Sequence, residues 1–193
     1  MNVLIILLSL LIAVPVHAMQ MIGFGGGPTC SSQSAAVTQS TGGGLHCVWQ
    51  SYPVDENTRG QSFTVPDNVT LYSIVVTGSG ATAGASCNIN MRVSLYPDLR
   101  TSYLAAAVPL TCGDDTPVDY EFIFQSKPSL FSGTTYYWGI VTDAVVNDNA
   151  FCFDRSTSDV YANGSEWVAT AVVWYLDGYL PTRDAVFTIK KCD

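Results

Sequence analysis

Charge is scarce in this chain. Only 12% of its 193 residues are Asp, Glu, Lys or Arg, and 16 acids outnumber 8 bases for a net charge of −8. That balance excludes a nucleic-acid partner, which needs clustered Lys and Arg against phosphates. It also argues against adsorption on anionic lipid. Histidine is scarcer still, with only His17 and His46. No Cys-x-x-Cys occurs, so the spacing offers no zinc site. No stretch carries a helical period, and beyond the first residues no apolar run is long enough to cross a bilayer. Low charge here does not mean disorder, because 48% of the residues are hydrophobic.

Met1 to Ala18 carries an apolar run from Val3 and ends in Val16-His17-Ala18, with small residues where a signal peptidase reads. Pro15 interrupts the run, and it is short for a span. It is expected to be a secretory signal peptide, which makes the protein secreted, extracellular or periplasmic. No membrane span is expected after its removal. Three segments follow: the signal over 1–18, an arm rich in Gly, Ser and Thr with one short strand over 19–58, and a β-sandwich domain over 59–193. Residues 31–44, rich in small residues and ending in three glycines, read as loop or extended arm. The glycines are not a phosphate loop, since the Lys and following helix are missing.

The most informative stretch is a hairpin. Cys87 to Tyr96 has apolar residues at odd positions, and Tyr103 to Cys112 has them at even positions. Folding Leu95 onto Leu104 sets Val93 against Ala106, Met91 against Val108, Ile89 against Leu110 and Cys87 against Cys112. Directly opposed residues of an antiparallel pair share a face. One register therefore collects the apolar residues on one side and brings two cysteines together. All six cysteines follow the cleavage site, an even number in an exported chain, which predicts three disulfides. The register selects Cys87–Cys112. The pairings expected next are Cys152 with Cys192, and Cys30 with Cys47.

Other strands follow the same period of two. Phe63 and Val65 should face inward, as should Val118, Tyr120, Phe122 and Phe124. Val69 to Thr77 is apolar enough for a central strand. Thr134 to Thr142, Glu166 to Tyr175 and Ala185 to Lys190 add further strands, with turn signals between them. Eight or nine strands without a helix predict an all-β fold: a two-sheet antiparallel β-sandwich, jelly-roll-like and disulfide-bonded.

Five stretches carry a resemblance: Gln61 to Pro66, Leu71 to Ile74, Val93 to Tyr96, Leu130 to Trp138 and Asp184 to Ile189. In that order, over about Gly60 to Cys192, they resemble the jelly-roll modules of bacterial exported and surface proteins grouped as choice-of-anchor domains. The resemblance implies a non-catalytic binding or surface-display unit, and it transfers no site onto numbered residues.

A hydrolytic triad needs a base, and His46 beside Cys47 reads as a surface or loop residue. The carboxylates Asp114, Asp115 and Asp119 read as solvated acids rather than a glycosidase pair. Asp143, Asn147, Asp148, Asn149 and Asp154 gather hard oxygen donors around one loop, which suits structural calcium through Asp143, Asp148 and Asp154. An Asx-rich turn explains the same residues. Trp174, Tyr175, Asp177 and Tyr179 cluster at a strand end, the residue types with which β-sandwiches stack on sugars. One face of the Glu166–Tyr175 strand should be core: either Trp167, Ala169, Ala171, Val173 and Tyr175, or Val168, Val172 and Trp174. Asn68-Val69-Thr70 and Asn163-Gly164-Ser165 match the N-glycosylation sequon, a match that carries little weight in a bacterial chain.

The functional expectation is a secreted, non-enzymatic binding or adhesion module with a glycan or surface protein as partner. The alternative is a self-associating subunit of an extracellular fibre or coat that adds its arm as a strand to a neighbour. A hydrolase comes third.

Overall fold

A computed structural model describes residues 29–48, 50–51, 55–56, 58–80, 87–97, 99, 102–113, 115–142, 151–169, 174–175 and 183–193. The strands begin with β1 (Gln33–Gln39), β2 (Gly44–Val48), β3 (Gln50–Ser51), β4 (Asp55–Glu56), β5 (Thr58–Thr64) and β6 (Val69–Gly80). Next come β7 (Cys87–Ser94), β8 (Ala105–Ala106), β9 (Leu110–Cys112), β10 (Val118–Ile123) and β11 (Ser129–Leu130). The chain continues through β12 (Thr135–Thr142), β13 (Phe151–Ser156), β14 (Glu166–Ala169), β15 (Trp174–Tyr175), β16 (Asp184–Ala185) and β17 (Phe187–Cys192).

Apart from β3 and β4, which pair with each other, they form a two-sheet antiparallel β-sandwich. The first sheet runs β1-β17-β6-β13-β16, with β10 and β11 also on β6 and β2 on β13. The second runs β15-β14-β5-β12-β7-β8, with β9 also on β7. The long strands β5, β6 and β7 switch sheets in turn, as do β12, β13 and β14, which gives the jelly-roll-like winding. β6 is central, as its apolar sequence requires.

The core lies between the sheets and is dominated by rings. Phe63 and Trp138 of the second sheet meet Phe187 of the first at centroid distances of 6.4 and 5.8 Å. Trp138 also meets Phe153 edge-on at 5.8 Å. These tilted arrangements suit the ring quadrupoles. Phe63 and Val65 are buried, as are Tyr120, Phe122 and Phe124. Val118, expected with them, is exposed at the start of β10.

The hairpin register holds at its sulfur end and slips at the other. Cys87 faces Cys112 and Ile89 faces Leu110. Beyond that, Val93 faces Ala105 and Arg92 faces Ala106, one residue out of the expected register. The cause lies at Val108-Pro109. The Val108 N–H leaves the hairpin and donates to Ile123 O of β10 at 3.0 Å, while the Ala107 N–H donates to Met91 O at 2.8 Å. Pro109 has no N–H for the ladder. An extra residue of this kind reverses the faces of what precedes it. Ala105 and Ala107 are therefore buried, while Leu104 (41% exposed) and Val108 (40%) point out.

Two expected disulfides are corrected. The bonds are Cys87–Cys112, Cys47–Cys152 and Cys30–Cys192. The expected Cys152–Cys192 and Cys30–Cys47 pairings fail because residues 31–44 are not a loose arm. β1 pairs with β17 and sets Gln33 opposite Cys192, which brings Cys30 to that end. β2 pairs with β13 and sets Cys47 directly opposite Cys152. So residues 33–39 and 44–48 are bonded within the chain's own sheet.

The outer face of the second sheet carries a small second core. Gly60 and Gly139 are opposed on β5 and β12, with Trp167 opposite Gly60 on β14. The missing side chains leave a trough for the Trp167 indole and for Leu99, both fully buried. The Trp167 Nε1–H donates to Trp138 O at 3.1 Å. A Cβ on Gly139 would stand 2.5 Å from Leu99 Cδ1 and 2.7 Å from Trp167 Cζ2.

Overfilling that trough should show. Gly139→Ala is expected to lower unfolding free energy by about 1–3 kcal/mol, read by urea denaturation with tryptophan fluorescence. Chain-entropy reasoning ranks the disulfides by separation, 162 residues for Cys30–Cys192 and 25 for Cys87–Cys112. Replacing both Cys30 and Cys192 by Ala should cost about 5 kcal/mol, against about 3.5 for Cys87 and Cys112. Equal losses in the same titration would contradict that ordering.

Candidate functional site

Of the aromatic cluster expected from the sequence, only the backbone of Trp174 and Tyr175 is described, as β15. β15 is the outermost strand of the second sheet, with Trp174 opposite Ala169 and Tyr175 opposite Val168 on β14. The side chains of Trp174 and Tyr175, and Asp177 and Tyr179 altogether, lie outside the described residues. So do Asp143 and Asp148 of the calcium expectation, along with Asp114 and the segment 1–28. Asp154 is described: half-buried on β13, it accepts the Gly43 N–H at 3.2 Å, and Gly42 packs directly against its carboxylate. Among the described residues no three His, Cys, Asp or Glu side chains form a metal-ligating group.

Sequence reasoning missed the polar cluster between the sheets. His46, expected on the surface or in a loop, is buried on β2. Its Nδ1 contacts Glu166 Oε1, and Glu166 is itself only 2% exposed at the start of β14. Arg155 of β13 brings Nη1 to 3.5 Å from Glu166 Oε2. Arg59 of β5 and Arg183 add positive charge around the imidazole. The His46 ring also packs on Phe153, its cross-strand neighbour, at 5.7 Å.

Alternation hid this cluster. In Leu45-His46-Cys47-Val48 both faces carry apolar residues, so period two cannot choose the inner one. The disulfide chooses: Cys47 turns outward to Cys152, which sends His46 in. Glu166 points in for a similar reason. Its neighbour Trp167 goes to the outer trough, and adjacent strand residues face opposite ways. Of the two faces weighed for the Glu166–Tyr175 strand, Trp167 is buried, and the side chains from Val168 to Tyr175 lie outside the described residues.

A second polar group continues the cluster. Asp184, 1% exposed, accepts Gln61 Nε2–H and the backbone N–H groups of Val160 and Tyr161, each at 2.8 Å. Gln61 Oε1 accepts the Ala185 N–H at 3.0 Å. Asp184 thus fastens the 157–165 loop over the sandwich end, and its carboxylate is saturated by protein donors.

Burial, and then the charges of Arg59, Arg155 and Arg183, hold the His46 imidazole far below its ordinary pKa of 6.5, at about 2. It is neutral, with Nδ1–H available to donate to the Glu166 carboxylate. Chemically this is a buried charge lock between the sheets. A general base must reach substrate, and this imidazole is walled in.

The outer surface offers different chemistry. Arg92 lies 4.9 Å over the exposed Tyr103 ring and donates from Nη1 to Leu99 O at 2.9 Å. Tyr96, the most exposed large apolar side chain among the described residues, stands on the same loop. These groups, like β15, belong to the second sheet.

No family model matches this chain, and no curated protein is similar to it. Among solved structures it is similar to the Carbohydrate-Binding Module CBM36 in complex with calcium and xylotriose, at 6% identity over 72% of this chain and 99% of that one. The TM-score is 0.32, too low to carry any argument about ligand or site.

The lock makes stability depend on pH in a known direction. The unfolded chain binds a proton at His46 as pH falls through about 6.5, whereas the folded chain does not until about 2. The contribution is complete above pH 6.5 and erodes below it, by about 1.4 kcal/mol per pH unit from this one group. His46→Gln should remove that part of the slope between pH 6.5 and 5 in urea titrations. An unchanged slope would show that His46 is not held neutral.

Proposed function

We propose that this protein is an exported, non-catalytic β-sandwich module that binds a glycan through the aromatic edge of its second sheet. The observation that carries the reading is the position of β15. Among the described residues Trp174-Tyr175 forms the outermost strand of its sheet, bonded to β14, in the sequence segment that continues to Asp177 and Tyr179. Aromatic rings at such an edge can stack on the apolar faces of sugars while nearby carboxylate and amide groups bond the hydroxyls.

Three further points support it. The histidine and its glutamate are spent on an internal lock, so they do not serve a hydrolase. Three disulfides fit an oxidising compartment outside the cytosol. The resemblance to choice-of-anchor jelly-roll modules belongs to the same reading, as non-catalytic surface units. A structural calcium near Asp154, completed by Asp143 and Asp148, is a separate part of this proposal.

The test is retention on a glycan array by the processed protein. Trp174→Ala or Tyr179→Ala is expected to weaken binding at least tenfold, which is about 1.4 kcal/mol. Both variants should keep the wild-type urea midpoint. Variants that bind as well as wild type, or a wild type that retains no glycan, would overturn the reading.

A further inference from the structure

Two features that the binding reading leaves unused meet at one end of the sandwich. Asn68 stands in the turn between β5 and β6, and Asn163 in the turn before β14. Both are exposed. Both open a sequon, with Val69 and then Thr70 after the first and Gly164 and then Ser165 after the second. The residue between is not proline in either, as the acceptor pattern requires.

The folded geometry sorts the atoms in the right way. Asn68 Oδ1 accepts the Ser132 N–H at 2.8 Å. That bond uses the oxygen and leaves Nδ2, the atom that carries sugar, without a role in the turn. Asn163 sits at the exposed tip of the loop that Asp184 fastens by the Val160 and Tyr161 amides. Ser165 behind it is tied to Ser62 by its N–H at 2.8 Å, so the turn is held from both sides. A cleft of about 430 Å³ separates the two turns, lined by Ala36, Val37, Pro66, Gly133 and Tyr161, with Asn163 on its rim. Ser132, the residue bonded to Asn68, lines the same cleft.

We propose that Asn68 and Asn163 are acceptor sites for N-linked oligosaccharide, and that the two glycans flank and screen this cleft. The donor is a lipid-diphosphate-linked oligosaccharide. Asn Nδ2 attacks its C1, the Nδ2–C1 bond forms and the C1–O bond to the diphosphate breaks. The diphosphate departs with the electron pair, and the amide nitrogen loses one proton to the transferase. This inference rests on the export reading but not on the glycan-binding one.

The experiment keeps those readings apart. The full chain is produced with its own leader in a eukaryotic secretory host, and residues 19–193 are produced in parallel behind a foreign leader. The secreted protein should collapse by two steps in mobility under an amidase that cleaves N-glycans, with Asn68 and Asn163 converted to Asp in peptide masses. Asn68→Gln and Asn163→Gln should each lose one step. Thr70→Ala and Ser165→Ala, which keep the asparagines, should do the same. Secreted, disulfide-bonded protein whose peptides carry unmodified Asn68 and Asn163 would overturn the proposal, and one bare site overturns the half that concerns it. Glycosylation behind the foreign leader alone would sink the export reading and leave the acceptor sites standing.

Discussion

A carboxylate that enters the space between two sheets has to be neutralised there, and Glu166 sets that constraint for this fold. Stripping a carboxylate of water costs several kcal/mol unless charges and donors are supplied by the protein. Here His46 and Arg155 reach across to it from the first sheet, and Arg59 and Arg183 add positive charge around the imidazole. The two strands that supply His46 and Arg155 are also those joined by Cys47–Cys152. Sulfur fixes β2 to β13 on the outside, and the same pairing aims the imidazole and the guanidinium inward. A covalent staple and a charge lock thus depend on one register.

The inward turn of Glu166 is itself a consequence of Trp167. An indole needs more room than a continuous sheet surface offers, and the Gly60–Gly139 pair supplies it. Leu99 closes the trough from above. Two tryptophans then sit on opposite faces of one sheet, joined through the backbone: Trp138 in the main core, and Trp167 outside with its N–H on the Trp138 carbonyl. The small outer core holds β14 in place, and β14 positions β15 at the edge. The candidate binding edge is therefore tied to the interior through one strand of four residues.

What could be read from the letters was what local alternation decides. Phe63 and Val65, the Tyr120–Phe124 series and the Cys87–Ile89 end of the hairpin are half-buried strands with one plainly apolar face. The slipped half of the hairpin was not legible, because its cause is the bond from Val108 to Ile123 in the opposite sheet. β1 was missed because Gln33-Ser34-Ala35-Ala36-Val37-Thr38-Gln39 has little that favours a strand on its own. Its pairing with β17 makes it one, an instance of context overriding propensity. The site was hidden for a related reason. Leu45, His46, Cys47 and Val48 offer an apolar residue to either face, as do Glu166, Trp167 and Val168. One signal was available: Phe151 and Phe153 mark the inner face of β13, so Cys152 had to look outward and find its partner on another outward cysteine.

The bond between Cys30 and Cys192 turns the described chain into a closed ring. Tension entering ahead of Cys30 and leaving after Cys192 travels through sulfur and bypasses the sheets. The hydrogen bonds of β1 on β17 and β17 on β6 then feel no shear, and the domain cannot be drawn out like a thread. Once that bond is reduced, such a pull would reach β1 and β17 first.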